Sequence, residues 1–199
     1  MRLYSYVVKN DSGFAPNPFW GLCTLATCKP VIRRKAEVGD WVVGTGSANE
    51  GRQGRLVYAM KIHKTIAIEK YGNSYKNKMP HSNGTPFRIY GDNIYYLKNE
   101  RWQLRKNLFH NQDNMEHDIS GLNVLIGKEF YYFGSEDVEI PDMFQNIIKK
   151  GPYHKSKFSE QFVQDFIYWL RSTHKNKRGR SALPRQFNSH YTGRCKEKL

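Results

Sequence analysis

Val38-Gly39-Asp40-Trp41-Val42-Val43-Gly44-Thr45-Gly46-Ser47 is the stretch whose reading decides the fold. Gly39 and Asp40 form a turn signal directly before β-branched and aromatic residues, and the run closes in small hydroxyl-bearing ones. That order predicts a strand leaving a tight turn. Residues 56–66 keep the β character, so 41–44 should pair with 56–62 across the glycine- and charge-rich connection 48–54. Gly44, Thr45, Gly46 and Ser47 read either as a tight strand end or as backbone that lets a ligand come close. They lack the spacing and the Lys-Ser/Thr terminus of a P-loop.

Upstream, Leu3-Tyr4-Ser5-Tyr6-Val7-Val8 reads as a strand leaving into a loop at Asp11, Ser12 and Gly13. The loop places Phe14, Phe19 and Trp20 among Pro16, Pro18, Gly13 and Gly21, which makes it rigid with flat apolar faces. It serves either as a binding surface or as a plug for the end of a barrel. Downstream, residues 71–88 read as a long polar surface loop, and 123–126 with 129–133 as two strands forming a hairpin around Gly127-Lys128. Ser159 is a candidate N-cap for a helix whose face carries Phe162, Phe166, Ile167, Trp169 and Leu170, a packing stripe. Beyond Ser172 the apolar period stops. The expected organisation is a single domain over 1–172 and an exposed basic tail over 173–199.

A chain of 199 residues with 39% hydrophobic and 14% aromatic side chains can bury one core. No stretch approaches the roughly 20 apolar residues needed to span a bilayer, so a cytoplasmic protein without membrane partners is expected. The three cysteines Cys23, Cys28 and Cys195 are too few and too odd for a disulfide framework and should be free thiols. The formal charge of +14 is unevenly spread: residues 149–199 hold 13 basic and 3 acidic side chains, whereas 61–148 hold 11 of each. Such a basic end suits a phosphate backbone, with Lys175, Lys177, Arg178, Arg180 and Arg185 as its contacts. The alternative is a tail that only solubilises, or binds anionic surfaces loosely.

Several residues carry candidate chemistry. Cys23 and Cys28 make one loose pair, short of a zinc ligand set, so neither metal nor cofactor is expected. Cys28, beside Lys29, Arg33 and Arg34, is a candidate nucleophile, with His117 and Asp118 as a candidate base and its partner. Adjacent side chains diverge, however, so an Asp rarely orients its own neighbouring His. Packed, inert cysteines are the plainer reading. For a base in a pocket, Phe14, Trp20, Trp41 and Tyr95 offer stacking faces, while Asn17, Asp92, Asn93 and His117 offer hydrogen bonds to its edge. Arg33 or Arg34 would meet a phosphate, and Gly44 to Ser47 would admit the ligand.

The signature Gly13-Phe14-Ala15-Pro16-Asn17-Pro18, Cys23-Thr24-Leu25-Ala26-Thr27-Cys28-Lys29-Pro30, Ile32-Arg33-Arg34 and 39–47 resembles the nucleotide-modification-associated domain family, second type. The likeness continues through 55–60, 91–95, His117-Asp118, 124–126 and Phe133-Gly134, roughly residues 3–140. It implies a setting in phage or bacterial systems that alter DNA bases. More distantly, the Val-Gly-Asp turn and its two strands are similar to PUA-like domains of the EVE, YTH and ASCH kind, which implies a base held between aromatic side chains. The expected fold is therefore α+β, a PUA-like mixed partial β-barrel with flanking helices and a C-terminal helix. The expected function is recognition of a modified or flipped nucleotide, in DNA ahead of RNA, in a base-modification or defence setting. A small enzyme acting on a modified base or free nucleotide, and an accessory subunit binding partner proteins of a modification system, are the alternatives.

Overall fold

A computed structural model describes residues 1–81 and 86–187. The strands are β1 (Leu3–Val8), β2 (Cys23–Leu25), β3 (Trp41–Gly46), β4 (Arg55–Lys61), β5 (Lys64–Ala67), β6 (Tyr95–Lys98), β7 (Arg101–Leu104), β8 (Asn123–Gly127), β9 (Glu129–Tyr132), β10 (Val138–Glu139), β11 (His154–Lys155) and β12 (Gly179–Arg180). The helices are α1 (Pro30–Lys35), α2 (Ile68–Ser74), α3 (Pro86–Ile89), α4 (Gln112–Ile119) and α5 (Glu160–Thr173). The class is α+β.

The main sheet runs β11-β1-β3-β4-β9-β12, with β10 on β4, and it is mixed because β1 lies parallel to β3 and β12 parallel to β9. As the sequence pattern requires, β3 pairs antiparallel with β4, Trp41 facing Lys61 and Gly44 facing Tyr58. A smaller sheet, β2-β8-β5, and the β6-β7 hairpin complete the strands, and among the described residues no sheet closes into a barrel.

Both faces of the main sheet are covered, which explains why β3 is buried along its whole length. Alternation along each strand sends Leu3, Trp41, Val43, Ala59, Tyr131 and Phe133 toward Val163, Phe166, Ile167 and Leu170 of α5. The other face, with Tyr4, Tyr6, Val42, Met60 and Tyr132, packs on Cys23, Leu25, Ile32 and Leu125 from the smaller sheet and α1. The Ser159 hydroxyl caps α5 by accepting from Phe162 N–H at 3.2 Å.

Three local expectations differ. The 123–133 hairpin does not form: β8 pairs with β2 and β5, whereas β9 pairs with β4 and β12, so the chain changes sheets at the corner. The described residues of 71–88 are not one open loop, because α2 runs into the stretch, a short 3-10 turn at Lys76–Lys78 lies in it, α3 begins at its end and Lys78 is fully buried. As far as Phe187, the stretch expected as an exposed tail from 173 keeps most of its side chains exposed, but it is anchored to the domain. There β12 joins the main sheet, Ser135 N–H bonds Leu183 O, and Phe187 stacks on Tyr90 at 4.6 Å between ring centroids. The rest of that stretch, with Cys195, lies outside the described residues.

Phe166 is fully buried where α5 meets the sheet. Phe166→Ala should lower the unfolding free energy by about 3–5 kcal/mol, read from urea denaturation.

Candidate functional site

The turn between β2 and α1 builds the site. Cys28 and Lys29 both adopt left-handed backbone conformations, with φ of 56° and 43°. For side-chain-bearing residues this costs about 1–2 kcal/mol each, so the surroundings must hold it. Arg33, one turn into α1, does so. Its fully buried guanidinium donates to the carbonyls of Cys28 (2.7 Å), Ala26 (2.8 Å), Asn123 (3.0 Å) and Asp118. Burial lowers Arg33 from 12.5 to about 10 against the opposing pull of Asp118, so it remains cationic at neutral pH.

Cys28 is thereby placed, half-buried, against two groups. Its N–H donates to Asp118 Oδ1 at 2.7 Å, and its Sγ lies 3.7 Å from His110 Nε2. On the far side of the ring, His110 Nδ1 is 2.6 Å from Asp118 Oδ2, which also accepts the Tyr95 hydroxyl at 2.8 Å. His110 is fixed from behind by Asn107, whose Oδ1 accepts from the N–H groups of Phe109 and His110 while its amide donates to His110 O. Asp118 sits buried in the last turn of α4, a helix started by a capping box between Asn111 and Asn114.

Burial resists charging His110, but hydrogen bonds to Asp118 and Cys28 outweigh it and raise the imidazole from 6.5 to about 9. Burial alone would raise Asp118; hydrogen bonds from His110, Tyr95 and Cys28 N–H instead hold it below the ordinary 3.8. A thiol, an imidazole and a carboxylate thus stand in sequence, the order in which a nucleophile, its acid–base partner and an orienting group act.

Two cavities open at this thiol and share Cys28, Lys29 and His110. The first, about 280 Å³, is walled by Tyr6, Phe14 and Phe109 and carries Lys9, Asn10 and Ser12. Phe14 and Phe109 are stacked with centroids 4.6 Å apart. The second, about 430 Å³, is walled by Pro30, Val31, Ile32, Pro152 and Tyr153, with His117 and His154.

Of the residues selected in the sequence, the structure brings Phe14, Cys28, Tyr95, Asp118 and, at the edge of the second cavity, His117 to this place. His117 is exposed and Asp118 buried on α4, as consecutive helical residues face apart. The imidazole that Asp118 holds is His110's. Other selected residues lie elsewhere or are committed to the fold. Arg33 is buried with its guanidinium donating to carbonyls, whereas Arg34 is exposed and donates to Ser120 O at 2.7 Å. Asn17 is consumed by Gly13 O, Tyr90 O and Lys78, and Asp92 by Thr24 and Tyr71. Asn93 bonds the carbonyls of Tyr71 and Tyr75.

Trp41 is core beneath α5, and Trp20 lies apart, under Lys78 Nζ at 5.8 Å. Gly44 and Gly46 serve packing, because a Cβ at either would stand 2.4 Å from the Tyr58 ring or 2.3 Å from Arg52 O. Thr45 donates to Tyr6 O, and the Ser47 carbonyl accepts from Glu50 and Arg52 N–H. Sequence reasoning missed His110, Phe109, Tyr6 and Lys9; His110 lies in the loop before α4 and Asp118 in the helix's last turn, so no periodic local signal marked the pair. Among the described residues, no group of three or more His, Cys, Asp and Glu is placed to hold a metal ion, and no helix is long and apolar enough to cross a membrane.

These features define an α+β protein with a cysteine–histidine–aspartate constellation between two cavities. The model of the family described as nucleotide modification associated domain 2 matches residues 1–191, and the chain belongs to that family. Neither a curated protein nor a solved structure matches it.

Because the folded-state value of His110 lies above its ordinary one, the stability it contributes is complete below pH 6.5 and is lost as pH rises through about 9. In NMR titration the His110 ring should change protonation near pH 9, and in Asp118→Asn the midpoint should fall, because only the Cys28 contact then opposes burial.

Proposed function

We propose that the chain acts on a nucleotide, or on a base presented by nucleic acid, through a covalent step at Cys28. The observation that carries this reading is the chain of contacts from Cys28 Sγ to His110 Nε2 at 3.7 Å and from His110 Nδ1 to Asp118 Oδ2 at 2.6 Å, opening on a cavity. The Cys28 thiolate attacks an electrophilic carbon of the substrate. His110 gives its Nε2 proton to the leaving group, while Asp118 and Tyr95 keep the ring in place. Family membership supports a nucleotide as substrate. So does the first cavity, whose aromatic walls suit a base and whose Lys9 and Lys29 suit its phosphate.

Recognition of a modified or flipped base, in DNA ahead of RNA and in a phage or bacterial modification or defence setting, is the binding half of the same reading. Lys175, Lys177, Arg178, Arg180 and Arg185 are exposed and remain the candidates for the nucleic-acid backbone. Arg180 lies over the Phe87 and Phe19 rings at 5.2 and 5.5 Å, which fixes it on the surface.

Iodoacetamide labelling, followed peptide by peptide, tests the nucleophile. Cys28 should be alkylated at least about tenfold faster at pH 7 in the native protein than in His110→Gln, and buried Cys23 should stay unlabelled. Equal rates, together with saturable nucleotide binding that survives Cys28→Ala, would leave a reader of bases without catalysis. Because 179–187 are woven into the fold, the basic contacts are tested by substitution: Lys175, Lys177 and Arg178 changed together to Gln should reduce the salt slope of duplex DNA binding by about 2–3. An unchanged slope makes those charges solubilising only.

A further inference from the structure

We infer that the two cavities meeting at Cys28 take two organic substrates, so that the thiol transfers an acyl group from a small apolar acyl donor in the second cavity to an amino group on a nucleotide in the first. This rests on Cys28 being a nucleophile, as proposed above, and goes beyond it. An enzyme that delivers its acyl group to water needs one organic subsite; here the same three residues, Cys28, Lys29 and His110, border two. Cys28 and Lys29, in successive left-handed conformations, border both: Tyr6, Val7 and Val8 of β1 line the first cavity, and Pro30, Val31 and Ile32 of α1 line the second.

The linings are chemically unlike. The first cavity has aromatic rings with Lys9, Asn10 and Ser12 around them. The second has Pro30, Val31, Ile32 and Pro152 as an apolar wall, and its charged and titratable groups besides the shared three are His117, Asp118, Tyr153 and His154. Asp118 is buried and committed to His110, Tyr95 and Cys28 N–H, so among the described residues no free carboxylate lines this cavity.

The steps balance. Cys28 S⁻ adds to the donor's carbonyl carbon, the C–X bond breaks, and X leaves with the proton from His110 Nε2, giving a thioester and neutral imidazole. The nucleotide's amine then adds to the thioester carbon and passes a proton to His110, and the C–S bond breaks to restore the thiolate. Acyl–X and H₂N–nucleotide become acyl–NH–nucleotide and HX, with no oxidant or reductant.

p-Nitrophenyl acetate and p-nitrophenyl octanoate are the donors for the test, and a deoxyuridine monophosphate with a primary aminoalkyl group on the base is the acceptor. The full chain should give a burst of p-nitrophenol with an acyl mass on the Cys28 peptide. The nucleotide should then speed turnover and yield the N-acyl nucleotide by mass spectrometry. Val31→Trp and, independently, His117→Trp fill the second cavity, and each should lower the octanoate-to-acetate ratio of burst rates at least about tenfold. A burst followed only by hydrolysis, with no N-acyl nucleotide, overturns the transfer reaction while leaving Cys28 a nucleophile. An unchanged chain-length ratio in both variants overturns the donor site. No burst overturns the transfer, and if His110→Gln also leaves Cys28 alkylation unaltered, the nucleophile falls with it.

Discussion

The buried guanidinium of Arg33 is the constraint on which the site depends. A fully enclosed cation is tolerable only when its donors are matched, and this one reaches carbonyls of Ala26, Cys28, Asp118 and Asn123. Those four carbonyls belong to the β2–α1 turn, the end of α4 and the start of β8. One planar group thus fixes the nucleophile's backbone relative to the helix that carries Asp118. Lysine, with a compact ammonium and no fork, could not span the same set. The fit is close enough to dictate a neighbour: a Cβ at Gly121 would stand 2.4 Å from Arg33 Cζ.

The same economy recurs at other joints. Lys78, fully buried, donates to Asn17 Oδ1 (2.7 Å), Asn17 O (2.9 Å) and Leu22 O (2.9 Å), holding the aromatic loop closed. Burial lowers it from 10.5 to about 8 against the pull of Asp92. Arg52 and Arg55 converge on Asp137, and Asp11 accepts the Arg185 N–H at 3.1 Å, tying the returning C-terminal stretch to the main sheet. In each case a loop without regular ladder partners gains them from a buried charge, as buried backbone polar groups require. The loops that border the first cavity are therefore held in shape before any ligand arrives, which lowers the ordering cost of binding.

Sheet and site are linked through the corners. β4 and β8 each run into a strand of the other sheet, so the second sheet and α1 lie against one face of the first while α5 covers the other. The β2–α1 turn emerges at the rim of this stack, and the residue pair 109–110 is brought to it through Phe14, whose ring stacks on Phe109 and meets His110 edge-on at 5.0 Å.

The amino-acid sequence alone determined the strand at Leu3–Val8, the strand from Trp41 and its pairing with 56–62, the helix capped by Ser159 and the family. All of these follow from local periodicity, turn chemistry or a contiguous signature. It also singled out Cys28 and Asp118, the first as a cysteine beside cations and the second as the neighbour of His117, both visible in the local sequence. It misassigned Arg33, Asn17 and Asp92, since a polar side chain reads alike whether it meets a ligand or a buried carbonyl. Only the tertiary structure decided that His110 rather than His117 completes the constellation, that β8 and β9 part, and that Gly44 and Gly46 make room for Tyr58 and Arg52. Those outcomes rest on contacts between residues distant in sequence, or on which side of a helix faces inward, and no local pattern encodes either.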